Sequence, residues 1–243
     1  WCGYPLDKRI FPWNHANCGD LNLSGERRPQ SYLRETLWSD APVSHIVVTP
    51  PVPSFPLNPD KADWSVWDFP DVVDHWNFPG YEGKKMTVSV YSNCEQVELF
   101  LNGESLGKQE NTADKKNTLV WEVPYAHGIL KAVSYNKGGE VGTATLESAG
   151  KVEKIRLSAD RTEIVADGND LSYITLELVD SKGIRNQLAE ELVEFSIEGD
   201  ATIEGVGNAN PMSIESFVAN SRKTWRGSNL LVVRSGKSSG RII

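Results

Sequence analysis

Val97-Glu98-Leu99-Phe100-Leu101-Asn102-Gly103-Glu104-Ser105-Leu106-Gly107 sets the architecture. Apolar and polar side chains alternate over 97–101, the two-residue period of a half-buried strand. Asn-Gly follows at once, and both central residues of a type I′ turn need positive φ, which Asn and Gly adopt most readily. A β-hairpin is predicted at 102–103.

The pattern continues in both directions. Upstream, Met86-Thr87-Val88-Ser89-Val90 alternates apolar residues with hydroxyls. Downstream, Leu119, Trp121, Val123 and Tyr125 share one face of a strand broken at Pro124, and 129–135 make another that ends at Asn136-Lys137-Gly138-Gly139. Short strands every ~8–12 residues, with turn chemistry between them, predict a β-sandwich over 81–150. A second unit is expected over 151–243, its final strand edge missing. Ile155 and Leu157 lead to the turn Asp167-Gly168-Asn169-Asp170. Ile174, Leu176 and Leu178 alternate before Asp180-Ser181-Lys182-Gly183, Val193, Phe195 and Ile197 alternate again, and 230–233 supply a late strand.

Before residue 81 the pattern differs. Residues 1–40 are loop-rich, with a turn at 20–25 and one helix over 30–38, where Leu33 and Leu37 stand four apart on one face. Residues 41–80 carry Pro42, Pro50, Pro51, Pro53, Pro56 and Pro59. They read as an irregular connector with one strand near 44–49, which the prolines bar from a sheet centre. Trp64, Trp67 and Trp76 say the connector is packed rather than solvated.

The chain has 243 residues, with 25 basic against 33 acidic side chains and net charge −8. No Lys/Arg-rich block occurs, which speaks against a nucleic-acid surface. No stretch approaches the ~20 apolar residues of a spanning helix, so no membrane partner is expected. Cys2, Cys18 and Cys94 are too few for a closed disulfide set. Cys94 reads as a small buried hydrophobe, and a Cys2–Cys18 bridge stays open. The chain starts at Trp1 and stops in a strand-like run, so it is expected to be a piece of something longer.

Chemistry is sparse. The acid clusters Glu190-Glu191, Asp167/Asp170 and Glu194/Glu198 fall on turns or polar strand faces, where carboxylates are simply solvated. Asp167-Gly168-Asn169-Asp170 offers oxygens of the kind calcium takes, but it lacks the further acids of an EF-hand loop and reads as a turn. Gly205-Val206-Gly207-Asn208 begins like a dinucleotide fingerprint, without its third glycine or a strand–helix context. His15, His45, His75 and His127 have no metal-ligand spacing and no defensible triad partner, so they read as structural or surface residues. No cofactor and no metal is expected. Trp64, Trp67 and Trp76 are the candidate substrate-binding residues, since indole faces stack on sugars. The preferred reading is that they bury large areas against a neighbouring domain.

Three groups of phrases carry a family resemblance. Gly19-Asp20-Leu21-Asn22-Leu23-Ser24-Gly25 with Arg28-Pro29-Gln30-Ser31-Tyr32 and Leu37-Trp38 resembles the segment after the last barrel strand of glycoside hydrolase family 2 enzymes, of the β-galactosidase-like Bacteroidetes type. Val90-Tyr91-Ser92-Asn93, the 97–107 stretch, Trp121-Glu122-Val123-Pro124-Tyr125 and Gly128-Ile129-Leu130-Lys131-Ala132 are similar to their post-barrel domain. Ala159-Asp160-Arg161, Asp167-Gly168-Asn169-Asp170-Leu171 and Gly205-Val206-Gly207-Asn208, with Ser216-Phe217, resemble their C-terminal immunoglobulin-like domain.

The resemblance implies an all-β chain: tandem immunoglobulin-like β-sandwiches preceded by a partly helical remnant, residues 1–40, of a (β/α)8 barrel. It implies retaining hydrolysis of terminal β-D-galactosides by two barrel glutamates that lie upstream, so no catalytic residue falls in this chain. The fragment is then inactive alone, and its modules are structural. Its partners are the upstream barrel and, through the parent, a carbohydrate, with oligomerisation open. Its location is periplasmic or extracellular. The alternatives are a cell-surface adhesion or carbohydrate-binding protein of tandem immunoglobulin-like repeats, and a family 2 enzyme for a glucuronide or mannoside.

Overall fold

The 102–103 hairpin forms as its residues require. In the computed structural model, which describes residues 11–12, 19–54 and 70–243, Asn102 and Gly103 have φ of 52° and 88°. They join β-strands Gln96–Leu101 and Glu104–Glu110. Asn102 does more than turn: its Oδ1 accepts from the Ile129 N–H at 2.8 Å and its Nδ2 donates to the His127 carbonyl at 3.2 Å, tying the hairpin to the start of the strand that pairs with 96–101 on its other side.

In chain order the described elements begin with α1 (Ser31–Trp38), β1 (Ser44–Val48), β2 (Lys85–Ser92), β3 (Gln96–Leu101) and β4 (Glu104–Glu110). Then come β5 (Thr118–Pro124), β6 (Ile129–Asn136), β7 (Gly139–Glu147), β8 (Lys154–Ala159) and β9 (Leu171–Val179). The last are β10 (Leu192–Glu194), β11 (Ala201–Gly207), β12 (Ser221–Lys223) and β13 (Ser228–Ser235). The chain divides into two compact units. Among the described residues the first takes 19–21 and those of Arg27–Ser148, the second 11–12, Asn22–Glu26 and Ala149–Ile243.

The first unit is a sandwich of a three-stranded sheet, β1-β2-β5, and a four-stranded sheet, β4-β3-β6-β7. Every pairing is antiparallel. Alternate side chains meet between the sheets: Val88, Val90, Leu119 and Val123 from one, Val97, Leu99, Leu130 and Ala132 from the other, all buried. Each large aliphatic side chain so buried stabilises by roughly 1.5–3 kcal/mol. At one end the hydroxyls of Ser44, Ser92 and Ser134 hydrogen-bond one another instead. Cys94 lies beside them, a buried free thiol with Sγ 4.0 Å from the Val43 carbonyl oxygen.

This sandwich starts at Ser44 rather than at residue 81. β1 pairs with β2 from Ser44↔Ser92 to Val48↔Val88, and Val48 and Val73 exchange backbone hydrogen bonds of 2.8 and 2.9 Å. Val73, Trp76 and Phe78 belong to the core itself. The described part of 41–80 is therefore a wall of the first sandwich. The prolines act as expected in one respect, since β1 is an edge strand. Asn93 secures the entry: its Oδ1 accepts from the Val43 N–H at 2.7 Å, and its Nδ2 donates to the carbonyls of Ser39 and Ala41.

Helix α1 packs Tyr32 and Leu33 against Val47, Val72 and Tyr91 on the outer face of the β1-β2-β5 sheet. Leu37, expected beside Leu33, is exposed, as is Trp38. Four residues advance a helix by about 400°, so the two sit some 40° apart, and the contact surface ends between them.

In the second unit a four-stranded sheet, β11-β13-β9-β8, faces a two-stranded one, β10-β12. Two smaller clusters fill the interior, one around Leu176, Leu178 and Val193, the other around Val206, Leu231 and Val233, with Phe195 packed against both. Glu26 joins this unit through Arg185, at 3.1 Å.

Candidate functional site

Trp76 is the sequence-nominated tryptophan that the structure describes; Trp64 and Trp67 lie outside the described residues. Its indole is wholly buried in the first core, meeting Tyr125 at 4.9 Å and Phe78 at 5.9 Å between ring centroids, both edge-on. Nε1–H donates to the Ala126 carbonyl at 2.8 Å, the Ser148 hydroxyl donates to the Trp76 carbonyl, and the Phe78 N–H donates to the Tyr125 hydroxyl. A ring without exposed surface gives a sugar nothing to stack on. Trp76 is a core residue, and sugar stacking there is corrected to packing.

The nominated acids resolve into turn chemistry. Asp167 Oδ1 accepts from the N–H groups of Asn169 and Asp170 at 2.7 and 2.9 Å. The Val165 N–H and then the Arg161 guanidinium hold the Asp170 carboxyl below the ordinary carboxylate range. Asp180 is lowered in the same way, first by the Gly150 N–H and then by those of Ile184 and Lys182, and Asp200 by Ser238 and Lys237. Those shifts run opposite to the raised pKa of a general acid. Glu190, Glu191, Glu194 and Glu198 are all exposed. Among the described residues no three His, Cys, Asp or Glu side chains gather as a metal site would need.

The histidines separate. His15 lies outside the described residues. His75 Nδ1 accepts from the Asn77 N–H at 3.2 Å, and His127 contributes the carbonyl that Asn102 holds. His45 is the distinctive one. Its ring stacks on Tyr32 at 3.5 Å, Arg27 caps the other face of that layer at 3.8 Å from the Tyr32 centroid, and Nε2 is buried with no hydrogen bond among the described residues. Burial lowers its pKa to about 4, with Arg27 adding and the Asp74 and Glu35 carboxylates opposing. It is a neutral, built-in imidazole.

Arg222 is the structurally important residue that no sequence signal marked, one of two adjacent cations in Ser221-Arg222-Lys223. It is 1% exposed. Its guanidinium donates to the carbonyls of Val206 and Glu215, at 3.1 and 3.2 Å, and to the Ser213 hydroxyl at 3.1 Å, while lying 4.4 Å from the Phe217 centroid. The loop between β11 and β12 is thus gripped from inside, and it presents Ile214, Phe217 and Val218 to solvent. On the first unit, Leu37 and Trp38 of α1 do the same. Exposed apolar groups of this size on braced elements suit contact with another surface.

Comparison with known proteins fits. Glycoside hydrolase family 2 C-terminal domain 5 matches residues 155–243, and a domain of unknown function matches residues 83–142. A β-galactosidase of Bacteroides ovatus is 31% identical over 95% of this chain and 24% of its own length. A β-glucuronidase of Formosa agariphila is 31% identical over 75% of this chain and 18% of its own length. A crystal structure of a family 2 member from Bacteroides cellulosilyticus superposes with a TM-score of 0.89 and 94% identity, over 94% of this chain and 30% of that one. The chain therefore spans under a third of the length of these relatives. The order of the two sandwiches, the matched domains and this near-identity carry one conclusion: the chain belongs to glycoside hydrolase family 2, as part of its C-terminal region.

Proposed function

We propose that the chain is the non-catalytic accessory region of a family 2 glycosidase that removes terminal β-D-galactosides with retention of configuration. The two glutamates of that mechanism belong to a barrel elsewhere in the longer polypeptide, in a periplasmic or extracellular enzyme. The carrying observation is the match, over nearly its whole length, to a solved family 2 chain of which it makes up 30%. The role of the two sandwiches is to bury surface against the rest of the enzyme, and the outward side chains of α1 and the Arg222-braced loop are the contact groups.

The galactoside preference rests on the Bacteroides ovatus relative, aligned over 95% of this chain. A second reading, a β-glucuronide, rests on the Formosa agariphila relative of equal identity over a shorter span. The test is to assay the purified 243-residue chain and the full polypeptide of its gene against aryl β-galactoside, β-glucuronide and β-mannoside. Turnover by the full polypeptide alone, fastest on the galactoside, is the expected result. Turnover by the short chain sinks the accessory role, and faster glucuronide hydrolysis moves the substrate.

A further inference from the structure

The second sandwich has an interior that the strands among its described residues do not close. In an antiparallel ladder, directly opposed residues point to the same side. Ile155 of β8 stands opposite Leu178 of β9, and Leu157 opposite Leu176. Leu176 and Leu178 are buried core residues, so Ile155 and Leu157 also face inward, yet they are 58% and 60% exposed. Scattered outward-facing aliphatics are ordinary; an inward-facing pair on an edge strand marks a missing cover. The small sheet explains the gap. β10-β12 has two strands where an immunoglobulin-like sandwich sets at least three opposite four.

A third strand has already begun there. The Phe195 N–H donates to the Asn220 carbonyl at 2.7 Å, on the β12 side. Glu198, three residues on, presents the opposite edge: its N–H donates to the Ile243 carbonyl at 2.7 Å, and the Ile243 N–H donates back at 2.9 Å. This reciprocal exchange is the hydrogen-bonded pair of an antiparallel ladder. Gly199 makes the approach fit, since it sits at φ 104° and a Cβ there would collide with the Arg241 carbonyl. The Ile242 side chain packs into the cluster of Val206, Leu231 and Val233.

We propose that the open face of β8 and β9 is the seat of a β-hairpin of the same longer polypeptide. Its first strand extends the 241–243 pairing beside β10, and its second lies across from β8, with alternate apolar side chains on Ile155 and Leu157. This assignment goes beyond the accessory role and stands or falls separately, because it concerns closure of one domain and not which glycoside is cleaved.

The test compares the 243-residue chain with a version extended by about 25 residues of its own gene, enough for two strands and their turns. In the extended chain, amide exchange at 155–158 and 241–243 slows at least tenfold. Leu157→Lys, silent in the short chain to within about 1 °C, lowers the melting temperature of the extended one by about 5 °C. Unchanged exchange in the extended chain overturns the proposal, as does a lysine equally silent in both lengths or a gene that encodes nothing after Ile243. Protection of β8 that appears in the short chain only on dimerisation, by light scattering, hands the seat to a second copy and overturns the cis hairpin.

Discussion

The two sandwiches solve the same problem differently. The first closes an aliphatic and aromatic core between three strands and four, with Trp76 wholly buried in it and the hydroxyls of Ser44, Ser92 and Ser134 gathered at one end. The second has smaller clusters, a buried arginine, buried Asn229 and Asp180, and an uncovered pair of inward aliphatics. Hydrophobic closure yields a unit whose stability is intrinsic. An interior held by directional bonds to loop carbonyls positions a surface, and leaves more of its stability dependent on neighbours.

The strongest challenge to that contrast is Trp76→Ala. Removing a fully buried indole costs about 4 kcal/mol, so amide protection should collapse across β2, β3 and β5 while β9 and β13 keep theirs. Equal loss in both units would show that closure is shared. Next is the acid response of the first unit. Unfolded His45 takes up a proton near pH 6.5, whereas the folded imidazole resists until about 4. The contribution of His45 to stability is therefore constant above pH 6.5 and falls by about 3 kcal/mol as pH drops from there to 4. Chemical denaturation across that range should show the slope, and His45→Gln should abolish it.

Arg222→Leu sharpens the second half of the contrast. It leaves the Val206 and Glu215 carbonyls and the Ser213 hydroxyl without their donor, a loss of about 2 kcal/mol. The signature is local: exchange should quicken over 213–217 before any change in β9. The smallest effect is Trp38→Ala. At 87% exposure it should shift the stability of this chain by less than about 0.5 kcal/mol, but lower the melting temperature of the full-length enzyme by several degrees. Silence in both would remove α1 from the contact surface.

Legibility followed the range of the interaction. The hairpin at Asn102-Gly103 is local, and turn chemistry plus a two-residue period reveal it completely. The strand at 44–48 was visible, but its membership in the first sandwich was not: its partner β2 lies some forty residues on, and the run of prolines from Pro42 to Pro59 gave 41–80 the look of a connector. Trp76 was singled out for its size, and only the tertiary packing distinguishes a ring that fills a core from one that lines a cleft. Spacing placed the helix at 30–38, one residue early of Ser31–Trp38, but not the boundary between Leu33 and Leu37. Arg222 had no local signature, since burial of a cation depends on carbonyls gathered from Val206 and Glu215.

Cys94 gives the first sandwich a clock. The thiol is buried where β2 passes into β3, beside the Val43 carbonyl and the side chain of Asn93. Only a chain in which the entry to β1 has let go exposes that sulfur to an alkylating reagent. In a background with serine at positions 2 and 18, the labelling rate of this one atom counts how often the first unit opens, without a dye, a denaturant or a change to its core.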